Sequence, residues 1–324
     1  MMLLRDSGRH SPRRHREHRD HTEDFSVPPP CPPCLCGEFI RVKGPTRVLL
    51  FAFMTLLASC QSLPPDRHAN VGVSQGAAAV SFPQGALVDL SHAYDEQTVF
   101  WPTAEGFKLE KVADGQTPDG YYYAANNFST AEHGGTHLDA PIHFAAGRHT
   151  ADEIPLERLI GAGVVVDVSD KCAADRDYQV SVADFQRWEA EHGELPRDVI
   201  LLLRTGTGRF WPDRERYMGT AERGPAAVAK LHFPGLHPDA ARWLVANRAV
   251  KAVGLDTPSI DFGQSKLFES HRVLFDRNIP AFENLANLDR LPPKGFHVIA
   301  LPMKIKGGSG GPLRAVAIVP QPAP

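Results

Sequence analysis

Five short apolar runs set the architecture: Val164–Val168, Val199–Leu203, Val250–Gly254, Phe296–Leu301 and Ala315–Val319. Each has only five or six residues, and aliphatic side chains dominate. Runs of that length read as strands buried on both faces rather than as helices. Two helices carry start signals. Ser181-Val-Ala-Asp184 is a capping box that opens Phe185-Gln-Arg-Trp188, and Gly193 closes that helix. Pro238, at a first helical position, opens Asp239–Val245. No repeat or interior linker interrupts the pattern, so residues 80–324 read as one α/β domain. The composition, 42% hydrophobic and 23% charged with a mean hydropathy of -0.26, excludes a multi-span membrane protein, a coiled coil and a collagen.

The N-terminus follows different rules. Over residues 1–40, Arg13, Arg14, Arg16 and Arg19 alternate with His15, His18 and His21, and Pro28-Pro29-Pro30 follows. Such a segment cannot bury apolar area and reads as a disordered leader or an over-long start. Arg41, Lys43 and Arg47 then flank the ten-residue apolar run Val48–Leu57. That run is too short for a bilayer span and suits the core of a signal peptide. It ends in Leu57-Ala58-Ser59-Cys60, which resembles a bacterial lipobox. The expectation is a lipoprotein signal peptide over 41–59 and a polar tether over 60–79. A lipid on Cys60 would then hold the domain at the periplasmic face of a bacterial membrane. From Cys60 onward 265 residues remain, with 26 basic and 32 acidic side chains and a net charge of -6. An acidic body without a basic stripe argues against nucleic acid as a partner. Cys31, Cys34 and Cys36 lack a second ligand pair nearby, so they are not read as a zinc site. Cys172 is the one cysteine after Cys60, which leaves no internal disulfide.

The chemistry concentrates in Glu132–Phe144, where His133, His137, His143 and Asp139 fall within eleven positions. Imidazole nitrogen and carboxylate oxygen suit Zn²⁺ or Mn²⁺. Buried side chains of these types coexist only around a cation or in a shared network. His133 and His137 stand four apart, but Gly134-Gly135 and Pro141 oppose a helix. His137, Asp139, Pro141 and His143 have a period of two, which on an extended segment shares one face. The reading is a glycine turn carrying His133, then an extended segment presenting His137, Asp139 and His143.

His133-x-Gly-Thr-His137-x-Asp139-x-Pro-x-His143 resembles the first motif of the cyclase-like metal-dependent hydrolases, the family of bacterial kynurenine formamidase and isatin hydrolase. The resemblance continues through Val88–Ser91, Phe100-Trp101-Pro102, Leu202–Gly206, Gly254–Ser259, Ser270-His271, Phe282–Leu285, Leu301-Pro302 and Gly307–Arg314. It implies the family's swivelling β/β/α fold in a single domain. It implies that His133, His137 and Asp139 hold one metal, and that Asp139 bridges to a second held with His271 and Glu283. It places His143 as proton donor and acceptor, and Trp101 on the substrate side. Two Zn²⁺ ions are expected from the formamidase branch, with Mn²⁺ the alternative from the isatin-hydrolase branch.

Such a site activates water and attacks a carbonyl carbon. The expected activity is therefore cleavage of the C–N bond of an amide, formamide or cyclic amide (lactam). Kynurenine formamidase of tryptophan catabolism is the alternative enzyme, and a non-catalytic metal-binding lipoprotein the alternative of another class. A formamidase of tryptophan catabolism belongs in the cytoplasm, against the export signal, and a pure chelator has no need of His143. The resemblance also implies a homo-oligomer, a dimer or larger. Phe210-Trp211-Pro212 reads either as a pocket mouth or as a subunit interface. Gly307–Gly311 lacks a following Lys-Ser/Thr, so it is no phosphate loop and reads as a flexible turn between strands.

Overall fold

The computed structural model describes residues 84–320. The leader, signal-peptide, tether and Cys60 expectations lie outside these residues. Among the described residues no helix is long and apolar enough to cross a membrane.

Twelve strands follow in chain order: β1 Ala86–Asp89, β2 Lys108–Gln116, β3 Tyr122–Ser129, β4 His137–Asp139, β5 Ile160–Asp167 and β6 Gln179–Val180. Then come β7 Ile200–Arg204, β8 Gly235–Leu236, β9 Ala252–Leu255, β10 Ala281–Glu283, β11 Lys294–Pro302 and β12 Gly310–Val319. Eight of them form one sheet in the order β1-β12-β11-β5-β7-β9-β10-β4, and a further β12–β4 pairing closes it into a barrel. The expected α/β class is thus realised around a closed sheet. β5, β7, β9 and β10 run parallel, with Val164 opposite Leu201, Leu201 opposite Val253, and Val253 opposite Ala281. The remaining pairings of this sheet are antiparallel.

The apolar runs form strands because each has two faces to bury. Along β5, Val164 and Val166 join an outer core, while Val165 between them joins the barrel interior. Leu201 and Leu203 of β7 face outward, and Ile200 and Leu202 inward. The outer core is roofed by the helices Val182–His192 and Pro238–Asn247, through Phe185, Trp188, Ala240, Ala241 and Leu244. Burying each such leucine or phenylalanine contributes about 1.5–3 kcal/mol. The Asp184 carboxylate accepts from the Ser181 N–H at 2.8 Å, which starts the first helix where the motif predicts, and Gly193 ends it at φ 86°.

Three sequence expectations need correction. The extended segment stops at Asp139, and Pro141–His143 is a 3₁₀ turn, because Pro141 fixes φ and removes a ladder donor. Gly307–Gly311 is a turn between strands only at its start, where Gly307 turns at φ 74° between β11 and β12. Gly310 and Gly311 begin β12 and pair with Asp139 and Leu138 of β4. Ser309 O accepts from Ala140 N, and Gly308 O from Ala151 N. Trp211 turns inward rather than toward a mouth, stacking on His92 with centroids 4.1 Å apart. β2 and β3, an antiparallel ribbon paired only with itself, were not anticipated.

Candidate metal centre

The barrel closes where β4 lies between β10 and β12, and the candidate ligands sit on that seam. In the β4–β10 register His137 stands opposite Glu283, and Asp139 opposite Ala281. His133 precedes β4 in a turn built by Gly134 and Gly135, with φ 154° and 58°. A Cβ on Gly134 would lie 2.0 Å from the Phe100 ring, so only glycine fits. His271 comes from the helix Glu269–Phe275. All five predicted ligands therefore meet, although 150 positions separate the first, His133, from the last, Glu283.

Two overlapping ligand groups share Asp139: His133, His137 and Asp139, then Asp139, His271 and Glu283. Within each group the donor atoms lie within 4.8 Å of one another. Asp139 Oδ1 is 2.6 Å from His133 Nδ1 and 3.1 Å from His137 Nε2. Asp139 Oδ2 is 3.2 Å from His271 Nε2, which is 3.1 Å from Glu283 Oε1. Asp139, His137, His271 and Glu283 are all buried.

Hydrogen bonds behind the ligands orient them. His137 Nδ1 donates to Gly135 O at 3.0 Å, which turns Nε2 inward. That Nε2 is buried with no hydrogen-bond partner, although the Glu283 carboxylate lies 3.4 Å away. An orphaned imidazole nitrogen facing two carboxylates fits a cation, and the N and O donor set suits zinc or manganese. His271 Nδ1 pairs with Asp261 Oδ2 at 2.5 Å, leaving Nε2 toward the cluster. This carboxylate–histidine arrangement fixes a ligand's ring and tautomer.

Charge follows burial. Desolvation alone would push Asp139 up, but the charge and hydrogen bond of His133, with the His137 and His271 imidazoles close beside it, hold it well below the usual carboxylate range. Desolvation and the Asp139 charge raise Glu283. For His271, desolvation is overcome by hydrogen bonds to Asp139, Asp261 and Glu283, and the imidazole is raised well above its ordinary value. His143 goes the other way. Desolvation lowers it to about 4, helped by the neighbouring imidazoles, so it is neutral at pH 7.

His143 is brought to the cluster by the 3₁₀ turn rather than by strand alternation. Its ring stacks on His133 with centroids 3.8 Å apart and planes 17° apart. Beside it opens a cavity of about 280 Å³, floored by the ligands and walled by Phe100, Trp101, Phe144 and Phe268. Trp101 thus lines the cavity, as the resemblance implies. Sequence reasoning missed Asp261, Ser309 and Asn284. Asn284 Nδ2 donates to Gly135 O at 2.7 Å and so holds the glycine turn. Asp261 shares its buried stretch with Asp256, Thr257 and Ser259, so nothing local in the sequence singles it out.

The Cyclase family model ("Putative cyclase") matches residues 88–262. Isatin hydrolase of Roseibium aggregatum is 36% identical over 222 residues, 66% of this chain and 81% of that protein. Kynurenine formamidase of Salinibacter ruber is 29% identical over 231 residues, 71% of this chain and 96% of that protein. Among solved structures, isatin hydrolase A from Labrenzia aggregata, bound to benzyl benzoate, aligns with a TM-score of 0.66 and 32% identity. That alignment covers 73% of this chain and 94% of the other.

Proposed function

This chain belongs to the cyclase family, and from that premise we propose that it is a metal-dependent hydrolase opening the C–N bond of a neutral, planar lactam or aryl amide. The observation that carries the reading is the convergence of five candidate ligands, four of them buried, beneath an aromatic-walled cavity with a neutral imidazole at its side. A divalent cation held there supplies an activated water and a Lewis acid for the carbonyl oxygen. His133, His137 and Asp139 would hold one ion, and Asp139, His271 and Glu283 a second. Zinc is the ion we assign, and manganese suits the same donors.

The chain's own groups do the rest. Phe144, Trp101 and Phe268 present apolar surface to a flat ring and exclude water. His143, which lines the cavity beside His133, would accept a proton from the attacking water and return it to the leaving nitrogen. Among the described residues no Lys or Arg lines the cavity. A substrate with an α-carboxylate would find no side-chain cation there, which favours a neutral lactam over a formylated amino acid. We further propose a lipid anchor at Cys60 and a periplasmic location, supported by the apolar run and lipobox. A second copy of this chain is the proposed partner.

The test uses the zinc-loaded chain against isatin, N-formylkynurenine and simple cyclic amides. Opening of the aryl lactam is expected, and hydrolysis confined to N-formylkynurenine would select the formamidase reading. Tight zinc without any turnover would select the non-catalytic one. His143→Ala should bind zinc as before and lose about 10²–10⁴-fold in turnover. Full activity in that variant would remove His143 from its role.

A further inference from the structure

Ser309 stands between two side chains far from it in sequence. Its Oγ lies 2.9 Å from His133 Nε2 and 2.6 Å from Glu132 Oε2, and its N–H donates to the same Glu132 oxygen at 3.0 Å. The direction of each bond is forced. A carboxylate only accepts, so the single Ser309 hydroxyl proton goes to Glu132. Ser309 Oγ then accepts from His133, whose Nε2 must carry the proton. Nδ1 faces Asp139 Oδ1 at 2.6 Å and donates to it while no cation is held, so with Nε2 committed to Ser309 it is the Nδ1 proton that a cation would displace and the Nδ1 lone pair that it would take. His137 and His271 are set the opposite way, with Nδ1 toward Gly135 O and Asp261 and Nε2 toward the cluster.

The glycines around Ser309 permit this approach. A Cβ on Gly308 would lie 2.9 Å from Glu132 Oε1, and one on Gly310 would lie 2.7 Å from His133 Cε1 and 2.4 Å from Leu138 O. Real Cβ atoms do not approach so closely, so Gly-Ser-Gly is what brings this hydroxyl to this imidazole. The segment is also pinned, with Gly307 N on Asp152 Oδ1 at 2.9 Å and Ser309 O on Ala140 N at 2.8 Å.

We propose that Glu132 and Ser309 are positioning residues that lock His133 in the Nε2–H tautomer, so that it offers Nδ1 to the cation while the other two histidines offer Nε2. The inference rests on the metal reading above. It assigns a role to the glycine-rich segment and to the residue just before the first histidine.

The test is Zn²⁺ affinity of the full chain, measured by competition with a chromogenic chelator. Ser309→Ala and Glu132→Ala should each weaken binding about 10–100-fold, the range for losing a ligand's outer partner. The double variant should be little worse than either single one, because both break one chain of bonds. Ser309→Thr, which keeps the hydroxyl, should restore most of the affinity. Independently, long-range ¹H–¹⁵N spectra of the zinc-loaded, histidine-labelled chain should show His133 protonated at Nε2. A proton on Nδ1 overturns the proposal. So do alanine variants with unchanged circular dichroism and wild-type affinity. A wild-type chain that takes up no Zn²⁺ would sink the metal reading itself.

Discussion

His92 lies flat on Trp211, with 8° between the planes, and its buried Nε2 has no hydrogen-bond partner. Desolvation lowers its pKa to about 4, against the opposing pull of Asp89. In the unfolded chain the ordinary value of about 6.5 returns. Between those two values the unfolded state binds more protons, so stability falls as pH falls from 6.5 to 4. His92→Phe keeps the stack and removes both the orphan nitrogen and the titration. Denaturant midpoints from pH 7 to 4 should therefore drop less in the variant, by up to a few kcal/mol at the acid end. Parallel curves would refute this account. Residue-scale legibility was divided along similar lines. The ligands on Glu132–Phe144 were readable because their density and spacing are local. Asp261 and Ser309 were not, because their meaning comes from partners ten and 176 positions away.

The buried parallel strands were the most readable elements, since a strand covered on both faces leaves an unbroken apolar run. β10 was not readable, because three residues carry no period, and β4 was read only as part of a longer extended segment that runs past Asp139. β12 begins five residues before the run that announced it, since its first residues are glycines chosen for close approach rather than for strand propensity. That close approach makes a specific prediction. Gly310→Ala places a Cβ against Leu138 O on the strand that joins β12 to β10. We expect a loss of about 1–3 kcal/mol in unfolding free energy, the usual cost of overpacking, together with weaker metal retention. Wild-type thermal stability in this variant would mean that β4 and β12 are not held in this register.

Beyond the barrel, the β2–β3 ribbon carries Leu109, Val112, Tyr121, Tyr122, Tyr123 and Phe128, each between 53% and 61% exposed. A two-stranded ribbon alone in water is marginal, and its root is anchored through Phe128 on Phe107 and Phe107 on Tyr94. Six half-exposed side chains at about 100 Å² each offer about 600 Å² per copy, or about 1,200 Å² for a pair, the lower bound of stable interfaces. A second copy of this ribbon is the occupant we propose for that surface. Val112→Ser with Tyr123→Ser should shift the sedimentation mass toward a single chain while leaving circular dichroism unchanged. A wild-type chain that sediments as one copy at micromolar concentration would dismiss the partner. No hydrophobic period marks this ribbon, because neither of its faces is buried by its own chain.

The ligands do not sit on one rigid wall. His137 and Glu283 face each other across the joint that turns an open sheet into a ring. Cation affinity and ring closure then belong to a single thermodynamic cycle, in which whatever favours one favours the other. Retention of the ion becomes a gauge of architecture. Substitutions remote from the cavity, such as any that loosen the β11–β12 pairing, should betray themselves as leakage of metal before they betray themselves as unfolding.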